Sequence, residues 1–215
     1  MEKRLKIDFV SDLACPWCLI GLRRLELALE ACGVDADLEL HPFLLDPSTP
    51  PEGHDLRERL RRKYGDPEPL FQRVEAVAKA DGIPLDFSRV ARSPSTVAAH
   101  TLVRHARERG TQRGLARALF AAHFLEGRDI ADAAQLASIA SAFGFAPAEV
   151  IALVTDDAEL AVTRAQAEAW SARGVTAVPF TIVGERRGIP GAQPLHVFEK
   201  ALREAETSVD GARPR

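Results

Sequence analysis

The chain has 215 residues, and its 28 Lys and Arg nearly balance 31 Asp and Glu, for a net charge of −3. That balance excludes a general nucleic-acid surface as the first expectation, and 46% hydrophobic with 27% charged residues excludes wholesale disorder. Three cysteines are too few for a disulfide scaffold. The length allows one to two domains, or one domain carrying an insertion.

Met1 to Val10 is charged and then alternates, without the apolar stretch of about 7–15 residues that a secretory signal needs. No run approaches the roughly 18 uncharged apolar residues of a membrane span. These features point to a protein of the reducing cytoplasm, with no membrane partner, in which paired cysteines serve redox or metal chemistry.

Leu5 to Ser11 reads as a short strand of β-formers. A loop of Asp12, Leu13 and Ala14 leads to Cys15-Pro16-Trp17-Cys18. A helix from Pro16 to about Ala31 follows, with Leu19, Leu22, Leu25, Ala28 and Leu29 at helical spacing and Gly33 as its stop. Asp35 to Phe43 alternates as a second strand, with Leu38 and Leu40 on one face and Glu39 and His41 on the other, before a Pro-rich turn from Asp46 to Pro51. Strand, helix, strand predicts a βαβ unit with a parallel pair.

From His54 to Arg173 the chain is rich in Ala, Leu, Arg and Glu. Its punctuation predicts helices near 54–64, 67–80, 95–109, 112–125, 132–142, 147–154 and 156–173. Ala177 to Val183 returns to strand composition, and a turn at 184–187 leads into a short strand near Arg187 to Ile189. Pro194 opens an amphipathic helix with Leu195, Phe198, Ala201 and Leu202 on one face. Ser208 to Arg215 reads as a frayed tail. Strands at both ends and helices between them predict an α/β fold.

Cys15 and Cys18 fall at i and i+3 on the first turn of a helix, where Cβ atoms are about 5–6 Å apart. A small adjustment can therefore make or break a disulfide between them. The helix N-terminus, with its free N–H groups and positive dipole end, favours thiolate at Cys15. Pro16 suits the first helical position because its missing N–H would have had no partner there. Cys15 is then the attacking thiol, Cys18 the resolving thiol, and the chemistry is exchange through a mixed disulfide. The competing reading is a zinc site of Cys15, Cys18, Cys32 and His41, but one rigid helix separates Cys18 from Cys32 by about 20 Å. No metal is expected, and Cys32 reads as a small semi-buried apolar residue.

Ser11 to Gly21, Gly174 to Phe180, and Gly191-Ala192-Gln193 together resemble the DsbA-like thioredoxin-fold oxidoreductases, in particular the cytoplasmic FrnE type. The resemblance implies a thioredoxin fold, a mixed central sheet flanked by helices, with a large all-helical insertion. It divides the chain into a discontinuous thioredoxin-fold domain at 1–50 and 157–207, an inserted helical domain at 51–156, and a flexible tail at 208–215. It makes Cys15 the nucleophile and Cys18 the resolving cysteine. It also matches Val178-Pro179 to the family's cis-proline segment, which faces the disulfide and offers Val178 backbone groups to a substrate. Pro16 and Trp17 join the substrate-binding set. The Cys15–Cys18 disulfide is the only redox group implied, with glutathione as a thiol partner. Disulfide-containing proteins or small thiols are the implied partners, and the sequence carries no signal for oligomeric state.

One departure concerns protons. Many thioredoxin-fold members carry a buried acid six residues before the first cysteine, where this chain has Phe9. Asp8 or Asp12 could accept the proton instead, although Asp12 also reads as a solvated loop residue. Among weaker signals, Trp17 is either a substrate contact or an exposed helix-turn residue. The histidines at 41, 54, 100, 105, 123 and 196 show no metal spacing and read as surface or capping groups. The basic run Arg57 to Lys63 reads as a solvated helix face. Two other function classes remain open. One is a glutathione-dependent isomerase or transferase on an aromatic molecule, related to 2-hydroxychromene-2-carboxylate isomerase. The other is a non-catalytic module using the Val178-Pro179 groove.

Overall fold

The computed structural model describes residues 4–210. Strand β1 (Leu5–Ser11) lies inside a four-stranded sheet of order β2-β1-β5-β6. Its Ile7, Phe9 and Val10 are fully buried, as a strand covered on both faces requires. Strand β2 (Ala36–Pro42) runs parallel to it, with Ile7 opposite Leu38 and Phe9 opposite Leu40. On the other side β5 (Phe180–Val183) runs antiparallel with Phe180 opposite Val10, and β6 (Arg187–Pro190) closes the sheet.

Helix α1 (Pro16–Cys32) links β1 to β2 and packs against the last helix, α9 (Leu195–Asp210). Ile20, Leu25, Phe198 and Leu202 are buried in the same cluster as Ile7 and Phe9, so the two amphipathic faces supply the core on that side. Gly33 ends α1 in the left-handed region at φ 68°, and the Val34 amide bonds back to the Leu29 carbonyl. The opposite face is covered by α8 (Asp157–Ala172), whose Trp170 packs on Val10, Phe43 and Val175.

Between β2 and α8 lie α2 (Leu56–Tyr64), α3 (Glu68–Ala80), α4 (Val97–Ala106), α5 (Gln112–Phe124), α6 (Ala133–Ala140) and α7 (Pro147–Thr155). Buried Phe71, Phe120 and Phe124, with Phe87 from the loop after α3, extend the main core into them. Helix α5 also closes the sheet edge. The buried Gln112 amide accepts from Leu40 N at 3.0 Å and donates to Leu40 O at 3.1 Å, standing in for the strand that β2 lacks.

Several expected boundaries move. The helix expected from residue 54 starts at Leu56, because His54–Asp55 (β3) pairs with Arg92–Ser93 (β4) in a two-residue ladder with no readable alternation. Asp55 then caps α2 by accepting from Glu58 N at 2.7 Å. The helix expected over 95–109 is only α4, and the one over 132–142 tightens into a 3-10 turn at Ser141–Phe143. The strand expected from Ala177 begins at Phe180, since Pro179 has no N–H to give the ladder. Ser208 to Asp210 continue α9, and the rest of the expected tail lies outside the described residues. Among the described residues no helix is long and apolar enough to cross a membrane.

Candidate active site

The site is built at the C-terminal end of β1, where the chain turns through Asp12 into α1. Cys15 is the N-cap of α1, Pro16 is its first residue, and Cys15 O accepts from Cys18 N at 3.0 Å. The local sequence therefore builds the first turn as expected. Both cysteines are free thiols. Cys15 is 4% exposed and opens into a groove, whereas Cys18 is wholly enclosed. Burial pushes the Cys18 thiol up strongly, and the neighbouring Cys15 pushes it further in the same direction.

The Val178–Pro179 peptide bond is cis, and it brings Val178 O to 3.9 Å from Cys15 Sγ. Pro179 is held by two neighbours. Gly191 N donates to Pro179 O at 2.7 Å, and Gly21 on α1 leaves the space its ring fills. Arg24 reaches across from α1 to donate to Ala192 O and pair with Asp81, both at 2.7 Å, which fastens the 191–193 loop. A Cβ on Gly21 would stand 2.8 Å from Pro179 Cγ. Gly21→Ala should gain about 1 kcal/mol of helix propensity and lose about 1–3 kcal/mol to overpacking. The expected result is a small change in melting temperature with a larger fall in disulfide-exchange rate, read by comparing thermal scans with turnover.

The groove has a volume of about 450 Å³. Its floor is apolar, with Leu60, Phe71, Phe87 and Phe124, and its wall next to the cysteines is Trp17. Exposed Leu45, Tyr64 and Leu70 line its mouth beside Arg59, Lys63, Arg73 and Arg92. Trp17 is half-buried against the core, which corrects the exposed helix-turn reading. The basic run does form an exposed helix face in α2, where nothing is buried, but Arg59 and Lys63 also serve the groove. Arg59 is anchored by Asp46 at 2.9 Å.

Asp12 is not a solvated loop residue. It is 3% exposed, and its carboxylate accepts from Ala14 N at 3.1 Å, Leu45 N at 2.7 Å and Thr96 Oγ1 at 2.8 Å. Burial pushes its carboxyl up, but His100 and the amides of Leu45 and Ala14 together outweigh that and bring it below the usual range. His100 and His123 are likewise buried, at 3% and 4%, which corrects their surface or capping reading. An Asp accepting the amide two residues on is a local signal legible in sequence. Its partners Thr96 and His100 are not.

The four residues of the zinc alternative go to separate places. Cys32 Sγ lies 3.9 Å from Glu199 O, and His41 Nε2 bonds Asp8 Oδ1 at 2.8 Å on the other face of the sheet. Asp8 therefore does not face the cysteines from α1's side. Among the described residues, the group with ligand atoms within 4.8 Å of one another is Asp8, Glu39 and His41.

Comparisons with known proteins agree with this architecture. The DSBA-like thioredoxin domain matches residues 6–203. The uncharacterised protein YwbO of Bacillus subtilis (strain 168) is 28% identical over 201 residues, which span 93% of this chain and 96% of YwbO. A crystal structure from Streptomyces coelicolor, described as a probable DsbA oxidoreductase, matches with a TM-score of 0.83 at 30% identity, covering 99% of this chain and 92% of that one. The cytosolic disulfide reductase DsbM of Pseudomonas aeruginosa, solved with GSH, shares the fold with a TM-score of 0.66 at 18% identity, covering 96% and 100%. With the family match reaching from β1 into α9, the chain belongs to the DSBA-like thioredoxin domain family.

Proposed function

We propose that the protein is a thiol–disulfide oxidoreductase working through Cys15 and Cys18. The observation that carries this reading is the placement of Cys15: it caps a helix N-terminus, faces Val178 O at 3.9 Å beside the cis Pro179, and opens into the groove, with Cys18 sealed behind it. Cys15 attacks a substrate disulfide, and the substrate's leaving sulfur departs as thiolate. Cys18 then attacks Cys15 in the mixed disulfide, so the protein dithiol is oxidised by two electrons and the substrate disulfide is reduced. Val178, half-buried at the groove beside Cys15, offers an extended substrate its backbone groups, and Pro16 and Trp17 flank the entry.

The groove suits a small thiol or a disulfide-bearing segment with apolar and acidic character, because apolar walls meet Lys63, Arg73 and Arg92, while Arg59 is paired with Asp46. Glutathione has that negative charge, and the DsbM structure carries it. On that likeness to a cytosolic reductase we also place the protein in the cytoplasm. Reduced protein should catalyse reduction of insulin disulfides, and Cys15→Ser should abolish it. Activity that survives Cys15→Ser rejects Cys15 as the nucleophile.

The apolar volume of the groove favours one second reading, a glutathione-dependent isomerase or transferase on an aromatic molecule. That reading requires turnover of a ring substrate that persists in Cys18→Ala.

A further inference from the structure

Val178 stands just before the first ladder pair of β5, Phe180 with Val10, so the sheet does not fix its peptide groups. Its carbonyl nevertheless lies 3.9 Å from Cys15 Sγ, and the residue lines the groove. The restraint comes from the 190–193 segment. Gly191 N donates to Pro179 O at 2.7 Å, Gln193 N donates to Gly191 O at 2.9 Å, and Gln193 Nε2 donates to Pro190 O at 2.7 Å. A tight turn bonded in this way largely to itself takes its position from whatever grips it from outside.

That grip is Arg24. From α1 its Nη1 donates to Ala192 O at 2.7 Å and to Gln193 O at 3.4 Å, while its Nε pairs with Asp81 Oδ2 at 2.7 Å. The two side chains are 14% and 18% exposed, so the pair is largely out of solvent. Charge-assisted bonds are about twice as strong as neutral ones. A rigid guanidinium fork serves a carboxylate and two carbonyls at once, with a geometry that a lysine ammonium on its flexible stem does not reproduce. Gly21, which makes room for the Pro179 ring, precedes Arg24 by one turn on the same face of α1.

Asp81 extends the contact to the groove. It caps the C-terminal end of α3, and the same helix carries Leu70, Phe71, Arg73 and Val74 into the groove lining. Arg24 itself is not part of that lining. It therefore ties together two sides of the substrate path without touching substrate: the α3 wall and the Val178–Pro179 platform beside Cys15.

We infer that Arg24 is a positioning residue that sets the platform against the α3 wall, and that the substrates it favours are extended peptide disulfides. The inference rests on the exchange reading above. A peptide lays its backbone on Val178 and its side chains against the wall, so it gains from both when their separation is fixed. A small aromatic disulfide reaches Cys15 without using the platform.

The test uses the full chain in reduced form with two disulfides. One is 5,5′-dithiobis(2-nitrobenzoate). The other is the disulfide dimer of a short unstructured peptide with one central cysteine, its reaction followed by acid quench and intact mass. In Arg24→Gln the ratio of the peptide rate constant to that of the small disulfide should fall about tenfold, the effect of losing roughly one well-made hydrogen bond. The half-saturating peptide concentration should rise while the limiting rate holds, the mark of lost binding rather than lost chemistry. A loss of stability alone lowers both rates together. Should Arg24→Gln not fold, Arg24→Met combined with Asp81→Met removes the pair at similar volume, a replacement that buried ion pairs commonly tolerate, and the same fall in the ratio is expected. A wild-type ratio in a folded variant, whether both rates hold or both fall, overturns the positioning role and leaves the exchange reading intact. No reaction of Cys15 with either disulfide in the wild type overturns the exchange reading and the positioning role with it.

Discussion

Cys18→Ala is expected to arrest the protein as a mixed disulfide on Cys15. Cys18 is wholly buried one turn into α1, so nothing from solvent takes its place. Its attack is intramolecular, and well-oriented intramolecular reactions have effective molarities of about 10⁵–10⁸ M. An external thiol at millimolar concentration falls short of even the low end by roughly 10⁸. Turnover without added thiol should therefore drop by at least about 1000-fold, and intact mass should show the substrate thiol attached to Cys15. Loss of the adduct on treatment with a reductant completes the assignment. An unmodified Cys18→Ala protein turning over at the wild-type rate rejects Cys18 as the resolving thiol.

Stability should fall steeply between neutral and acidic pH, and His123 should account for much of the fall. Its ring is 4% exposed, lies 4.5 Å from the Phe124 ring, and borders the groove. Burial lowers its pKa from 6.5 to about 4, against the opposing effects of the Arg128 backbone and the charges of Asp12 and Asp129. Below pH 6.5 the unfolded chain takes up a proton at this histidine that the folded protein refuses. Stability therefore declines as pH falls from about 6.5 to about 4 and then levels off for this group. The shift corresponds to about 3 kcal/mol, a sizeable part of the roughly 5–15 kcal/mol that holds a domain together. Urea unfolding of wild type and His123→Gln at pH 7 and pH 4 isolates the effect from carboxylates that titrate in both. The wild type should lose about 3 kcal/mol more than the variant across that window. Equal losses reject a buried neutral His123.

The sequence is most informative where the physics is local. Pro16 at the first helical position, the apolar spacing from Leu19 to Leu29 and the stop at Gly33 define α1, with Cys15 at its cap. The alternation in β2 and the amphipathic face of α9 likewise follow from periods of 2 and 3.6 residues. The ends of elements are less legible. The start of β5 depends on which residue first gives a ladder N–H, and β3–β4 depends on partners distant in the chain, His54 with Ser93 and Asp55 with Arg92.

The chemistry of the site divides along the same line. The thiol pair at the head of α1 and the α/β fold class were both legible in the chain, since each depends on residues within one turn or one element. What surrounds them came from the docking of distant elements. Val178 reaches Cys15 across 163 positions of chain, and Thr96 reaches Asp12 across 84. No periodicity encodes such contacts, because they arise when whole elements dock and bury one another's polar groups. Docking turned Asp12 from a loop residue into a buried carboxylate, and put His100, unreadable as anything but one histidine among six, against it.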